Sequence, residues 1–186
     1  LVSGSTGSGK TTLLASIISD IAIHKPIHIL TYESPVEYDL QNIPGAIAKI
    51  KQSEVPTHVH SFAAGAENAL RRAPDIIFLG ELRDQATMAQ SQRMAQGGHL
   101  LLATLHANSV AATPERMADE FPADERSSVL RKIVGALRCI TYQRLVPRRG
   151  GGLVALREFL VFNETIRQDL LFKLIATTAL QSLIQA

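Results

Sequence analysis

The sequence predicts an α/β fold, a mostly parallel sheet flanked by helices. Three observations carry that expectation. Gly4-Ser5-Thr6-Gly7-Ser8-Gly9-Lys10-Thr11 satisfies the GxxxxGK[ST] pattern and leads straight into a helical periodicity. Short unbroken apolar runs such as Ile76-Ile77-Phe78-Leu79 suit parallel strands covered on both faces. Strand-like and helix-like segments then alternate along the chain, as a parallel sheet with crossover helices requires.

The elements follow in order. Only Leu1 and Val2 precede Ser3-Gly4, so the first strand is expected to be short, and the chain is expected to be part of a longer protein. Lys10 to Ala22 reads as a helix, with Leu13, Leu14, Ile17, Ile18 and Ile21 recurring at threes and fours, and Pro26 beyond it. Ile27 to Tyr32 is a buried strand running into the acidic turn Glu33-Ser34-Pro35-Val36-Glu37. Residues 40 to 60 are polar and turn-rich, with short strands expected. Ser61 is placed to cap a helix through Phe62, Ala66 and Leu70, ending near Pro74. The strand Ile76 to Leu79 ends at Gly80-Glu81. A helix over Gln85 to Ala95, a strand over His99 to Leu105, and helices over Pro114 to Phe121 and Asp124 to Leu137 follow. Strands over Ile140 to Val146 and Leu153 to Phe162 flank an Arg148-Arg149-Gly150-Gly151-Gly152 turn.

Composition bounds the class. The 186 residues, 46% apolar and 19% charged, suit one globular domain and exclude disordered and collagen-like chains. No apolar run approaches the ~18 residues of a spanning helix, and no secretory leader precedes the loop, so a soluble protein is expected. Cys139 is the single cysteine and has no metal-ligand neighbours, which points to a reducing, cytoplasmic compartment. A net charge of +2 is too balanced to indicate nucleic acid as a partner.

The glycine-rich loop carries the clearest chemistry. Gly4, Gly7 and Gly9 let backbone N–H groups turn inward around phosphate oxygens, and the following helix adds its positive dipole end. Ser5, Thr6 and Ser8 complete the loop. Lys10 supplies a cation to the β and γ phosphates, Thr11 a hydroxyl to Mg²⁺, and Thr12 a reach toward the α-phosphate. A flexible linker would not run at once into a periodic helix.

Hydrolysis also needs carboxylates near the C-terminal ends of strands. Glu33 and Glu37 follow one strand and Glu81 another. A solvated surface turn accounts for Glu33 and Glu37 as well as catalysis does, from position alone. It accounts less well for Glu81, because a charge at the end of a buried strand is costly without a partner. His99 and His106 flank an apolar strand, where lone histidines are more often satisfied core or edge groups, and neither has zinc-ligand spacing.

Taken together, four segments resemble the secretion and pilus ATPase superfamily typified by PilT and GspE. After the Walker A loop, Thr31-Tyr32-Glu33-Ser34-Pro35-Val36-Glu37-Tyr38 resembles its Asp box, with Ser34 where an aspartate is usual. The segment from Leu70-Arg71-Arg72-Ala73-Pro74 to Gly80-Glu81-Leu82-Arg83-Asp84 resembles its Walker B region, with Ala73 where many members are acidic. Gly98-His99 through Thr104-Leu105-His106 resembles its His box. Gln143-Arg144-Leu145-Val146-Pro147 and Asn163-Glu164-Thr165-Ile166-Arg167 resemble its late strand and a following helix. Gln52-Ser53-Glu54-Val55-Pro56 and the long strand Val154 to Phe162 are most similar to the type IVB branch, the group of DotB and TraJ.

The resemblance implies a RecA-like P-loop NTPase core that hydrolyses ATP with Mg²⁺ in a homo-hexameric ring. It also implies a preceding PAS-like domain outside this chain, which holds most of the intersubunit arginines. By the same carry-over, Lys10 and Thr11 bind phosphates and Mg²⁺, and Glu33 and Glu37 hold or activate water. Glu81 supports Mg²⁺, His99 and His106 contact the γ-phosphate region, and Arg71 and Arg83 match basic positions. Implied partners are inner-membrane secretion or coupling proteins, through which a cytoplasmic ring associates peripherally with the membrane; direct nucleic-acid binding is not expected. The leading expectation is a secretion or conjugation motor. A pilus retraction motor or a nucleotide-gated binding module without significant hydrolysis are the alternatives. A helicase lacks its aromatic-interleaved basic loop.

Overall fold

The computed structural model describes residues 1–184, with side chains of the last helix described as far as Leu174. Thirteen elements run in the order β1 (Val2–Ser3), α1 (Lys10–His24), β2 (His28–Glu33), β3 (Lys49–Glu54), α2 (Phe62–Leu70), β4 (Ile76–Leu79), α3 (Gln85–Gln96), β5 (Leu100–Leu105), α4 (Ala112–Ala118), α5 (Arg126–Ala136), β6 (Cys139–Pro147), β7 (Leu153–Val161) and α6 (Glu164–Ile184). The strands form one seven-stranded sheet in the order β3-β2-β4-β5-β1-β6-β7. All neighbours are parallel except β6 and β7, which form an antiparallel hairpin at one edge. The α/β expectation therefore holds, with a mostly parallel sheet and helices on both faces.

Side-chain alternation along β2 and β4 feeds two of the three hydrophobic clusters among the described residues. Leu30 and Tyr32 on β2, Ile77 and Leu79 on β4 and Leu105 on β5 pack toward Ala66 of α2, Met88 of α3 and Ile133 of α5. Ile29, Ile76 and Phe78 point the other way, onto Leu14 and Ile18 of α1. Each fully buried side chain of this size contributes about 1.5–3 kcal/mol, so α1 and the loop before it are fixed against the sheet.

Several boundaries differ from the sequence pattern for local reasons. Helix α1 runs on to His24, since Pro26 lies beyond the last residue that must be helical. Ser61 caps α2 as expected, accepting the Ala64 N–H at 3.1 Å. Helix α4 begins before Pro114, because proline is tolerated in a first turn and Ser109 Oγ accepts the Ala112 N–H at 3.0 Å. The polar stretch 40–60 yields one edge strand, β3. Asn163 caps α6 through the Ile166 N–H at 2.8 Å. Among the described residues no helix is long and apolar enough to cross a membrane.

Parallel strands place their carboxyl ends along one edge of the sheet. Ser3, Glu33, Leu79 and Leu105 are the last residues of β1, β2, β4 and β5, so the loops that follow them meet there.

Candidate nucleotide site

The loop after β1 folds back on the sheet at Gly4. A Cβ at this position would meet the Gln143 carbonyl oxygen at 2.3 Å and Ser8 Oγ at 2.7 Å, so only glycine fits. Gly7 and Gly9 adopt φ of 73° and 81°, and Gly9 stands as the N-cap of α1. The first N–H groups of α1 thus open into the loop. Lys10 Nζ donates to the carbonyls of Gly4 and Ser5 at 2.9 and 2.8 Å. Burial pulls its pKa down, and the carboxylates of Glu81 and Glu37 act against that. Ser8 Oγ is buried without a hydrogen-bond partner among the described residues.

Beside the loop lies a cavity of about 480 Å³ that Lys10, Thr11 and Thr12 share with Glu33, Glu37 and Glu81. Arg83 and His106 also border it. Glu33 ends β2 and is 2% exposed. Its Oε1 accepts from Thr31 Oγ1 at 2.6 Å and from Gln52 Nε2 at 2.8 Å. Burial pushes its carboxyl above the ordinary range, those two bonds oppose the rise, and Glu37 and Glu54 add to it. Such a poised carboxyl is what general-base chemistry calls for.

Glu81 is held differently. Thr104 Oγ1 donates to the Gly80 carbonyl, and the Leu82 N–H donates to Thr104 O at 2.9 Å, so β5 fixes the step after β4. One Glu81 oxygen receives Arg83 Nε, and the other lies 3.2 Å from His106 Nε2. His106 reaches it because it directly follows β5 at the carboxyl edge.

Two residues from the sequence reading lie elsewhere. His99 precedes β5 at the opposite edge of the sheet, where its Nδ1 lies 3.3 Å from Met94 O beside a largely apolar cavity of about 270 Å³. Arg71 caps the end of α2 on the surface, 3.4 Å from Glu67. Thr12 borders the cavity, yet its hydroxyl hydrogen-bonds Tyr38 Oη at 2.8 Å.

Other side chains support the site from segments that the sequence marks only by family resemblance, without assigning them a role. Gln143 on β6 donates to the Ser8 carbonyl at 2.6 Å, and Arg157 on β7 donates to Gln143 Oε1 at 2.6 Å. Gln52 on β3 braces Glu33. Their partners are distant in sequence, so a residue pattern could flag the glutamines as polar positions in strands but not as braces.

A glycine cradle, a buried lysine at a helix N-terminus and facing carboxylates define a P-loop nucleotide-binding domain of the ATPase kind. Residues 1–153 match the family described as "T2SSE: Type II/IV secretion system protein", and the chain belongs to that family. The type IV pilus retractation ATPase PilT of Pseudomonas aeruginosa is 38% identical over 167 residues, covering 90% of this chain and 48% of that protein. A twitching motility protein of Neisseria gonorrhoeae is 40% identical over 168 residues, covering 90% of this chain and 44% of that one. The ATPase DotB of Legionella pneumophila superposes with a TM-score of 0.88 at 40% identity, over 99% of this chain and 51% of that chain. The pilus retraction motor PilT with bound ADP gives 0.85 at 39% identity, over 98% and 52%. The chain spans about half the length of the curated relatives it matches.

Proposed function

We propose that this chain is the ATP-hydrolysing core of a hexameric motor in a type IVB-like secretion or conjugative transfer system. The observation that carries hydrolysis, rather than binding alone, is the convergence of buried Glu33 and of Glu81 on the cavity beside Lys10. A nucleotide-gated binding module has no use for a carboxyl held like Glu33. Lys10 and the loop N–H groups orient the phosphates. Glu33, with Glu37 beside it, accepts the proton of the attacking water, and His106 steadies Glu81.

The site also fits Mg²⁺. That ion keeps several waters and takes only one or two protein ligands beside substrate phosphates, a demand that Thr11 Oγ1 and Glu81 meet. It needs no three-residue cluster, and none occurs among the described residues. Bound with the nucleotide, it would neutralise charge on the phosphate oxygens.

The likeness to DotB favours the type IVB reading. The likeness to the pilus retraction ATPase supports the second reading, a retraction motor with the same chemistry. In either, a PAS-like domain precedes this chain, and the ring sits on the cytoplasmic side, docked to inner-membrane components. Steady-state phosphate release from the intact protein tests the shared claim: Lys10→Ala and Glu81→Gln should each lower Mg²⁺-dependent turnover by about 10²-fold or more. Unchanged turnover in both would sink the site assignment. Loss of substrate transfer with intact twitching in a Lys10→Ala strain would select the first reading, and the reverse pattern the second.

A further inference from the structure

The strand β3 lies at the edge of the sheet, and Gln52 pairs in register with Thr31 of β2, two residues before Glu33. Its side chain is 7% exposed, and the whole of its amide is used. Nε2 donates to Glu33 Oε1 at 2.8 Å and to Tyr38 O at 3.0 Å, while Oε1 accepts from Leu40 N at 2.7 Å and Gln41 N at 3.2 Å. Two backbone donors at Oε1 leave one amide orientation, so an N–H must face the carboxylate. Tyr38, which takes the other N–H, places its hydroxyl 2.8 Å from Thr12 Oγ1 on the phosphate-loop helix.

We propose that Gln52 is a positioning residue for hydrolysis: it pins one oxygen of the Glu33 carboxylate and ties that carboxylate, through the 38–41 loop, to the phosphate-loop helix. The inference rests on Glu33 acting as the base in the reading above. Thr31 and Gln52 both bond to Oε1, which leaves Oε2 for the cavity and fixes the rotation of the carboxylate plane. A residue serving packing alone would be better apolar, since burying an amide is costly unless every group is satisfied.

The same bond acts on protonation. Burial raises the Glu33 carboxyl, Glu37 in the following turn and Glu54 on β3 raise it further, and the Thr31 and Gln52 bonds hold it down. Lys10, Arg83 and Glu81 face the same cavity from the loop and the end of β4. Without the Gln52 N–H, the base ionises at higher pH.

Gln52→Met keeps length and removes every hydrogen bond. In protein carrying ¹³C-labelled glutamate, the Glu33 carboxyl should titrate at higher pH than in the parent, and the acidic limb of kcat should move with it. Near neutral pH, kcat should fall about tenfold, within the range of a misplaced general base, while nucleotide affinity stays within about twofold because Lys10 and the loop N–H groups keep their places. An unmoved Glu33 titration, or a loss confined to affinity, overturns the proposal. If the parent protein releases no phosphate, hydrolysis itself fails, and the carboxyl titration still decides what Gln52 does. Should Gln52→Met not fold, Gln52→Asn, which withdraws the amide by one methylene, is read by the same titration with the same direction expected.

Discussion

At the scale of single residues, Glu33 sets function against stability. Burial raises its carboxyl above the ordinary range, so the folded chain holds that proton more tightly than the unfolded one. Stability then falls as pH rises from the ordinary carboxylate range through the raised folded value, and the ionised form persists above it at a cost. Glu33→Gln keeps an oxygen for Thr31 and Gln52 but never ionises. It should raise Tm by about 2–4 °C at neutral pH, the shift that ~1 kcal/mol gives a domain of this size, while lowering turnover about 10²-fold or more. A thermal melt beside a phosphate assay checks both halves, and a lower Tm would count against the burial argument. In the parent, turnover should climb with pH as this group ionises. The placement of Lys10 at the cavity was legible because eight contiguous residues set the loop, and that of Glu81 because a charge ended an apolar run. His99 and His106 look alike in sequence, yet a parallel strand has direction, and only the residue past its carboxyl end can reach the site. Gln52 stood out only within a family-like segment, and its contact with Glu33 was not legible because the two lie 19 positions apart.

At the scale of elements, close approaches decide which substitutions the sheet tolerates. Helix α2 lies on Tyr32 at Gly65, where a Cβ would stand 2.5 Å from the ring's Cδ1 and 2.9 Å from Cε1. Tyr32 is 1% exposed and has no room to yield. Gly65→Ala should therefore destabilise by about 1–3 kcal/mol through overpacking, even though alanine is the better helix former by ~1 kcal/mol. A melt showing a rise in Tm would mean the helix can lift off the ring. Ala73, between α2 and β4, has the opposite problem: its φ of 44° is left-handed, which costs an L-residue about 1–2 kcal/mol. Ala73→Gly should recover part of that, net of glycine's greater unfolded entropy, and raise Tm by a degree or more. The buried strands β2, β4 and β5 were legible because coverage on both faces makes them uniformly apolar. Strand β3, Lys-Ile-Lys-Gln-Ser-Glu, was not legible as one strand, because at an edge its composition answers to solvent and to the Glu33 brace.

At the scale of the whole molecule, the charge at the site bears on assembly. Lys10 and Arg83 face Glu33, Glu37 and Glu81, so the cavity's own groups leave a net negative charge while Glu33 is ionised. A nucleotide triphosphate brings several more. Lys10 is moreover engaged by loop carbonyls, and Arg83 by Glu81. A bound Mg²⁺ would offset part of this excess, and cations reaching in from a neighbouring subunit would offset the rest, which is the electrostatic case for a ring. In phosphoryl transfer an arginine supplied in trans contributes about 10³–10⁵ to turnover. If those arginines lie in a preceding domain, the 186-residue chain alone should bind nucleotide yet turn it over on the order of 10³-fold more slowly than the intact protein. Light scattering on the intact protein with ATP should give the mass of six chains. A stable monomer with and without ATP, hydrolysing at the same rate as the isolated chain, would show that one subunit balances its own charge and would remove the physical reason for a ring.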